Sequence, residues 1–203
     1  FVVRTGVLIP RPETELLVDR ARELVGDRPG EVSVADLGTG SGCLAVTLFL
    51  EFEDPRVWGT DVSADAVELA RENAQRLEAE VDFRVADGIE GLRAIVRERG
   101  APLDLIVCNP PYIELSEADS LAPEVREYEP EVALFAPEGD PDHWVRTLLD
   151  IGHELLADDG AMLVELGHRQ GARAVSLASE RGWSARLHPD LAGTERVFEA
   201  QRA

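Results

Sequence analysis

Lysine is missing from this chain altogether: its 20 bases are all arginine, set against 40 acids, for a formal net charge of −20. A surface this acidic repels a phosphate backbone, whose capture depends on Lys and Arg displacing counterions, so free DNA or RNA is not an expected partner. Cysteine is scarce as well. Cys43 and Cys108 provide neither a disulfide framework nor a zinc-ligand spacing. The four histidines (His143, His153, His168 and His188) are scattered, and no metal site is expected. Aromatic residues make up only 5% of the chain, and Trp58, Trp144 and Trp183 read as packing residues. No apolar run approaches the roughly 18 residues that span a bilayer, so no membrane partner is expected. With no secretory signal visible, the expected compartment is the cytoplasm.

What is present suits one folded domain. The 203 residues are 44% hydrophobic, enough for a sizeable core. The pattern alternates strand and helix. Glu13 to Val25 reads as a helix with Leu17, Ala21, Leu24 and Val25 on one face and Pro12 at its start. A strand over Val32–Leu37 is followed by a helical segment from Cys43 to Phe52, then a second strand ending in Asp61. The helix expected over Ala64–Leu77, with Asp61 or Ser63 as its cap, spaces Val67, Ala70, Ala74 and Leu77 at helical intervals. A third strand, Asp82–Ala86, precedes a helix over Ile89–Arg99 and a fourth strand over Leu103–Cys108. A long acidic stretch, Glu114–Asp142, reads as a functional or mobile loop. Beyond it come a helix (His143–Leu156), a fifth strand (Ala161–Leu166), a helix (Gln170–Arg181) and a terminal hairpin of Ser184–His188 with Arg196–Ala200. Such alternation predicts an α/β fold: a mostly parallel sheet covered by helices on both faces, made mixed by an antiparallel final strand.

Two motifs carry chemistry. Asn109-Pro110-Pro111-Tyr112 follows an apolar strand directly. Its prolines fix φ and lack N–H groups, leaving a stiff ledge with free carbonyls. The Asn109 amide oxygen and the Pro110 carbonyl suit a planar nitrogen held through both hydrogens, with the Tyr112 ring offering a flat surface. The second motif, Asp36-Leu37-Gly38-Thr39-Gly40-Ser41-Gly42, is a glycine-rich turn between strand and helix, where backbone approaches a ligand closely. Asp61, closing the next strand, is placed to take ribose hydroxyls. Asp87, after the third strand, is placed to accept from an adenine amino group.

The glycine loop alone fits either a nicotinamide dinucleotide or a nucleoside-type methyl donor, because Gly40, Gly42 and Ala45 satisfy the dinucleotide pattern. The denser spacing at 38, 40 and 42, and the ledge after the fourth strand, favour the methyl donor. Three other classes stay open: an amino-directed DNA or RNA methyltransferase acting on adenine, a nicotinamide oxidoreductase, and a non-catalytic binding module.

Taken together, Ile9-Pro10-Arg11-Pro12-Glu13-Thr14-Glu15, the 36–42 loop and Asn109–Ile113 resemble the HemK-type glutamine methyltransferases. Supporting matches are Glu129-Pro130 with Ala133-Leu134, Glu165-x-Gly167-x-x-x-Gly171, and Glu195-Arg196-Val197. The resemblance implies a class I S-adenosylmethionine-dependent methyltransferase fold with seven strands, the last antiparallel. It implies transfer of a methyl group to the glutamine of the Gly-Gly-Gln loop in a peptide chain release factor, with S-adenosylhomocysteine as the other product. Gly38, Thr39, Gly40, Ser41 and Gly42 would surround the methionine end of the cofactor, Asp61 the ribose, and Asp87 and Gly88 the adenine. Asn109, Pro110, Pro111 and Tyr112 would hold the substrate amide, Asn109 also bordering the cofactor. A monomer is expected. Residues 1–30 would be a leading segment and helix, the remnant of a link to a missing N-terminal helical domain, and residues 31–203 the catalytic domain.

Overall fold

The computed structural model describes residues 1–26 and 28–203. A short 3₁₀ turn at Pro12–Thr14 leads into helix α1 (Glu15–Val25). Then follow β1 (Val32–Leu37), α2 (Cys43–Glu51), β2 (Pro55–Asp61), α3 (Ala64–Arg76), β3 (Asp82–Val85), α4 (Gly88–Arg99) and β4 (Leu103–Cys108). The second half holds α5 (Pro123–Tyr128), α6 (Glu131–Leu134), α7 (His143–Leu155), β5 (Leu156–Glu165), α8 (Gly171–Glu180), β6 (Trp183–Pro189) and β7 (Glu195–Arg202). The strands form one sheet in the order β3-β2-β1-β4-β5-β7-β6, in which only β7 runs against its neighbours. This is the seven-stranded fold anticipated from the alternation and the resemblance.

Both faces of the sheet are covered, which explains why β1 is buried along its whole length. Leu17 of α1, Leu48 of α2 and Val67 of α3 pack with Val34 and Leu105 on one face. Leu92 of α4, Leu148 of α7 and Leu177 of α8 pack with Ala35 and Ile106 on the other. Alternate residues of one strand thus feed two separate cores. Ser63 caps α3 by accepting a hydrogen bond from the Ala66 N–H at 3.2 Å. The first helix is tied to the last strand by Arg20, which donates to buried Glu199 at 2.6 Å. Burial alone would raise the Glu199 carboxyl, but Arg20 and His188 outweigh it and hold it below the usual value.

Two segments differ from the sequence reading. The fifth strand starts at Leu156 rather than Ala161, and its pairing with β4 shifts register between Leu103 and Leu105. Asp158-Asp159-Gly160 has turn composition, yet here it is an irregular part of a strand whose acids face solvent. The acidic stretch after Ile113 is not structureless either. It folds through α5, α6 and short 3₁₀ turns and returns to Ile113, whose N–H donates to the Leu134 carbonyl and whose carbonyl accepts from Ala136. Trp58 and Trp183 are core residues as read, the latter donating its indole N–H to the Leu149 carbonyl. No helix among the described residues is long and apolar enough to cross a membrane.

Strand order places the functional loops. From β1 the chain steps outward to β2 and β3; it then returns to the other side of β1 with β4. Open sheets of this kind bind ligands where the direction reverses, beyond the carboxyl ends of the central strands. The register pairs Leu37 with Cys108 and with Thr60. Gly38, Asp61 and Asn109, each the next residue along, therefore emerge side by side.

Candidate active site

A cavity of about 610 Å³ opens at that point, within the usual range for small-molecule sites. Gly38, Thr39, Gly40 and Ser41 line it together with Asp61, Asp87 and Gly88. Asn109, Pro110 and Pro111 line it from just beyond β4. Two of the expected site residues do not line it. Gly42 sits behind the loop, against Ala70 and Phe83. Tyr112 turns away: a Cβ on Gly167 would meet its ring at 2.7 Å, and its hydroxyl donates to Glu165 across a long 3.4 Å.

The loop is held from below by its neighbours. Gly38 and Thr39 both donate backbone N–H groups to the Thr60 carbonyl, at 2.8 and 2.9 Å. The Asp61 carboxylate accepts from the Gly40 N–H at 2.9 Å through one oxygen and from the Ser63 N–H at 2.9 Å through the other. Each oxygen keeps a further lone pair for a ligand. Asp87 precedes α4 and accepts from the Glu90 N–H through its backbone carbonyl, while its carboxylate is not engaged as a cap. Buried Asn73, which the sequence reading does not single out, donates to the Ser41 carbonyl at 2.9 Å and bonds both backbone groups of Val2. It thereby fastens the leading segment to the loop.

Three further side chains take a place at the site that the sequence does not assign them. Asp36 is buried beneath the loop, accepting from the Thr39 hydroxyl at 2.7 Å, and burial pushes its carboxyl up to about 7. Trp144, on α7, lines the cavity, and a Cβ on Gly88 would come 3.2 Å from its ring. Its indole N–H is buried and has no partner among the described residues. Thr14, in the turn before α1, lines the cavity and meets Asn109. Here an acid ending an otherwise apolar strand is the signal that sequence does carry: Glu165 closes β5 much as Asp61 closes β2, and Thr14 donates to it at 2.7 Å.

The donor set discriminates between ligands. Asp36, Asp61 and Asp87 line the cavity with Glu15, Asp19 and Glu51, against only Arg11 and Arg22. Arg11 is itself paired with buried Glu129 at 2.5 Å. An acidic lining disfavours the pyrophosphate of a dinucleotide and favours a cationic sulfonium. Positive φ angles at Gly38 (73°) and Gly40 (54°), with nothing within 4 Å of where their Cβ atoms would lie, leave backbone open to close approach. These residues fit S-adenosylmethionine.

The comparisons with known proteins agree with this geometry. The family model described as methyltransferase small domain matches residues 13–125. The release factor glutamine methyltransferase of Bacteroides thetaiotaomicron is 36% identical over 208 residues, covering 100% of this chain and 70% of the relative. That of Koribacter versatilis is 40% identical over 205 residues, covering 100% of this chain and 69% of the relative. This chain belongs to the release factor glutamine methyltransferase family. A solved member fits it throughout: the protein-(glutamine-N5) methyltransferase (release factor-specific) of Alicyclobacillus acidocaldarius, 31% identical with a TM-score of 0.63, covers 100% of this chain and 99% of its own. The chain is thus an S-adenosylmethionine-dependent methyltransferase in fold, family and cofactor.

Proposed function

We propose that this methyltransferase transfers a methyl group from S-adenosylmethionine to the side-chain amide nitrogen of the glutamine in the Gly-Gly-Gln loop of a peptide chain release factor. The observation that carries the reading is the juxtaposition, set by β1–β4 register, of the glycine loop with the Asn109–Pro110 ledge in one cavity. An amide nitrogen is a poor nucleophile because its lone pair is shared with the carbonyl. Bound cofactor supplies an activated methyl group, whose bond to sulfur breaks as a neutral thioether leaves. The protein's task is positioning. Asn109 Oδ1 and the Pro110 carbonyl each accept one N–H of the substrate amide, orienting the nitrogen and stabilising the positive charge that grows on it. The Pro110 carbonyl accepts no backbone hydrogen bond among the described residues, so it is free for this role. The nitrogen loses one proton to solvent once the new N–C bond makes it acidic, and no general base is required.

Tyr112 supports the ledge. Burial and the nearby Glu165 push its phenol up to about 12, so it remains a protonated hydrogen-bond donor at neutral pH. Asp61 and Asp87 hold the nucleoside and Gly38–Ser41 the methionine end. Trp144 supplies an aromatic surface beside Gly88, where the backbone itself offers none. Replacing Trp144 with Ala should weaken S-adenosylhomocysteine binding by about 1–2 kcal/mol, roughly 5- to 30-fold, in line with the usual worth of base–aromatic stacking. Titration calorimetry measures this directly, and unchanged affinity would return Trp144 to a packing role.

The acceptor is a protein and not free nucleic acid, a reading that the net charge of −20 supports. It goes with a monomer working in the cytoplasm. The deciding experiment is mass spectrometry of a release factor after incubation with this chain and S-adenosylmethionine. One added methyl on the Gly-Gly-Gln glutamine is the expected result. Methylation of adenine in DNA or RNA at low salt, with none on the protein, would transfer the reading to the amino-directed nucleic-acid enzymes.

A further inference from the structure

We infer that Thr14 and Glu165 are positioning residues that set which way the Asn109 amide faces, so that its oxygen, and not its NH₂, is presented to the substrate. The inference rests on the proposed role of Asn109 and extends it to two side chains outside the ledge. A side-chain amide is nearly symmetric in shape, and the wrong orientation would confront the glutamine NH₂ with another NH₂. Something has to select one orientation.

The selection follows from counting protons. Glu165 is 2% exposed, at the carboxyl end of β5, and as a carboxylate it can only accept. Its Oε2 lies 2.7 Å from the Thr14 hydroxyl, which has one proton and must spend it there. Thr14 Oγ1 is then left with lone pairs alone toward Asn109, 3.0 Å away, and accepts from Asn109 Nδ2. With its nitrogen tied to Thr14, Asn109 has its Oδ1 left over for the cavity. The chain of command runs from an ionised acid through a hydroxyl to an amide, over three elements: β5, the turn before α1, and the end of β4. Glu165 is faced by Tyr112 from the ledge, by Arg196 from β7 and by Glu13 from the leading turn. Burial pushes its carboxyl above the ordinary glutamate value, with Thr14, Tyr112 and Arg196 opposing the rise. Protonation would free Glu165 to donate to Thr14, which could then donate to Asn109 and reverse the amide.

Three variants of the full chain test this, assayed with S-adenosylmethionine and release factor beside wild type and Asn109→Ala. Thr14→Val should cut kcat by on the order of 10²-fold, the usual cost of a misplaced reacting group, with S-adenosylhomocysteine affinity held. Thr14→Ser, which keeps the hydroxyl, should recover most of that loss. Glu165→Gln can either donate or accept, so it should lower kcat and abolish the acidic limb of the kcat–pH profile, a readout that mere destabilisation would not move. Should Thr14→Val prove misfolded by circular dichroism, the pH profile of Glu165→Gln decides. Wild-type kcat in Thr14→Val, or an unaltered pH profile in Glu165→Gln, while Asn109→Ala is inactive, overturns the inference alone. Full activity in Asn109→Ala would instead remove the reading on which it rests.

Discussion

Asn109→Ala is expected to lower kcat for glutamine methylation by on the order of 10³-fold while leaving S-adenosylhomocysteine affinity nearly unchanged. The size follows from what is lost. In the proposed mechanism Asn109 supplies one of two acceptors that hold the substrate nitrogen in line, and it faces a charge that exists only as the methyl group transfers. An interaction that strengthens only in the transition state appears in kcat and not in binding. The contacts proposed for the cofactor are kept, because Asp61 ends β2 and residues 38–41 follow β1, away from the ledge. Stopped turnover assays and calorimetry on one preparation suffice. A variant that loses cofactor affinity along with turnover would show that Asn109 serves the cofactor instead.

The second large effect concerns the glycine loop, where neighbouring glycines answer to different masters. Gly42 has φ of 77°, and a Cβ there would lie 2.8 Å from Ala70 Cβ, 3.0 Å from Ala70 Cα and 3.1 Å from Phe83 Cζ. Left-handed strain costs about 1–2 kcal/mol and overpacking about 1–3, so Gly42→Ala should lose roughly 2–5 kcal/mol of stability. Gly40 has φ of 54° but nothing within 4 Å of its Cβ position, so Gly40→Ala should lose only the strain, about 1–2 kcal/mol. Its cost falls on the ligand instead, because Gly40 lines the cavity and Gly42 does not. Urea unfolding without ligand, followed by S-adenosylhomocysteine titration, separates the two. Equal loss of stability in both variants would contradict the division.

Much of this arrangement is legible in the chain because it is local. The strands β1 and β4 announce themselves as short apolar runs, and each carries its functional residues immediately after its last buried position, at Gly38 and Asn109. Asp61 is readable for the same reason. The residues that escape are those joined through space. Trp144 stands 56 positions from Gly88, and no periodicity says that α7 lays its ring there. Thr14 and Glu165 belong to motifs that sequence flags without roles, since the role is a hydrogen bond between segments 151 positions apart. Tyr112 has the opposite history: an aromatic beside a binding ledge invites a stacking role, yet its ring is held against Gly167 and its hydroxyl by Glu165. Spacing identifies where an element ends, while the direction of a side chain depends on what the rest of the fold leaves open.

The reach of the Thr14–Glu165 hydrogen bond also bears on how the molecule comes into being. During synthesis the stretch up to residue 100, which contains β1, β2, β3 and the glycine loop, is made before Glu165. Contacts of such separation close late, since the intervening loop must be ordered first. The last strands, with β7 anchored to α1 through Arg20 and Glu199, then act as a sign of completion. On this reading, a copy that stops short of β5 has the glycine loop and no means of fixing the Asn109 amide.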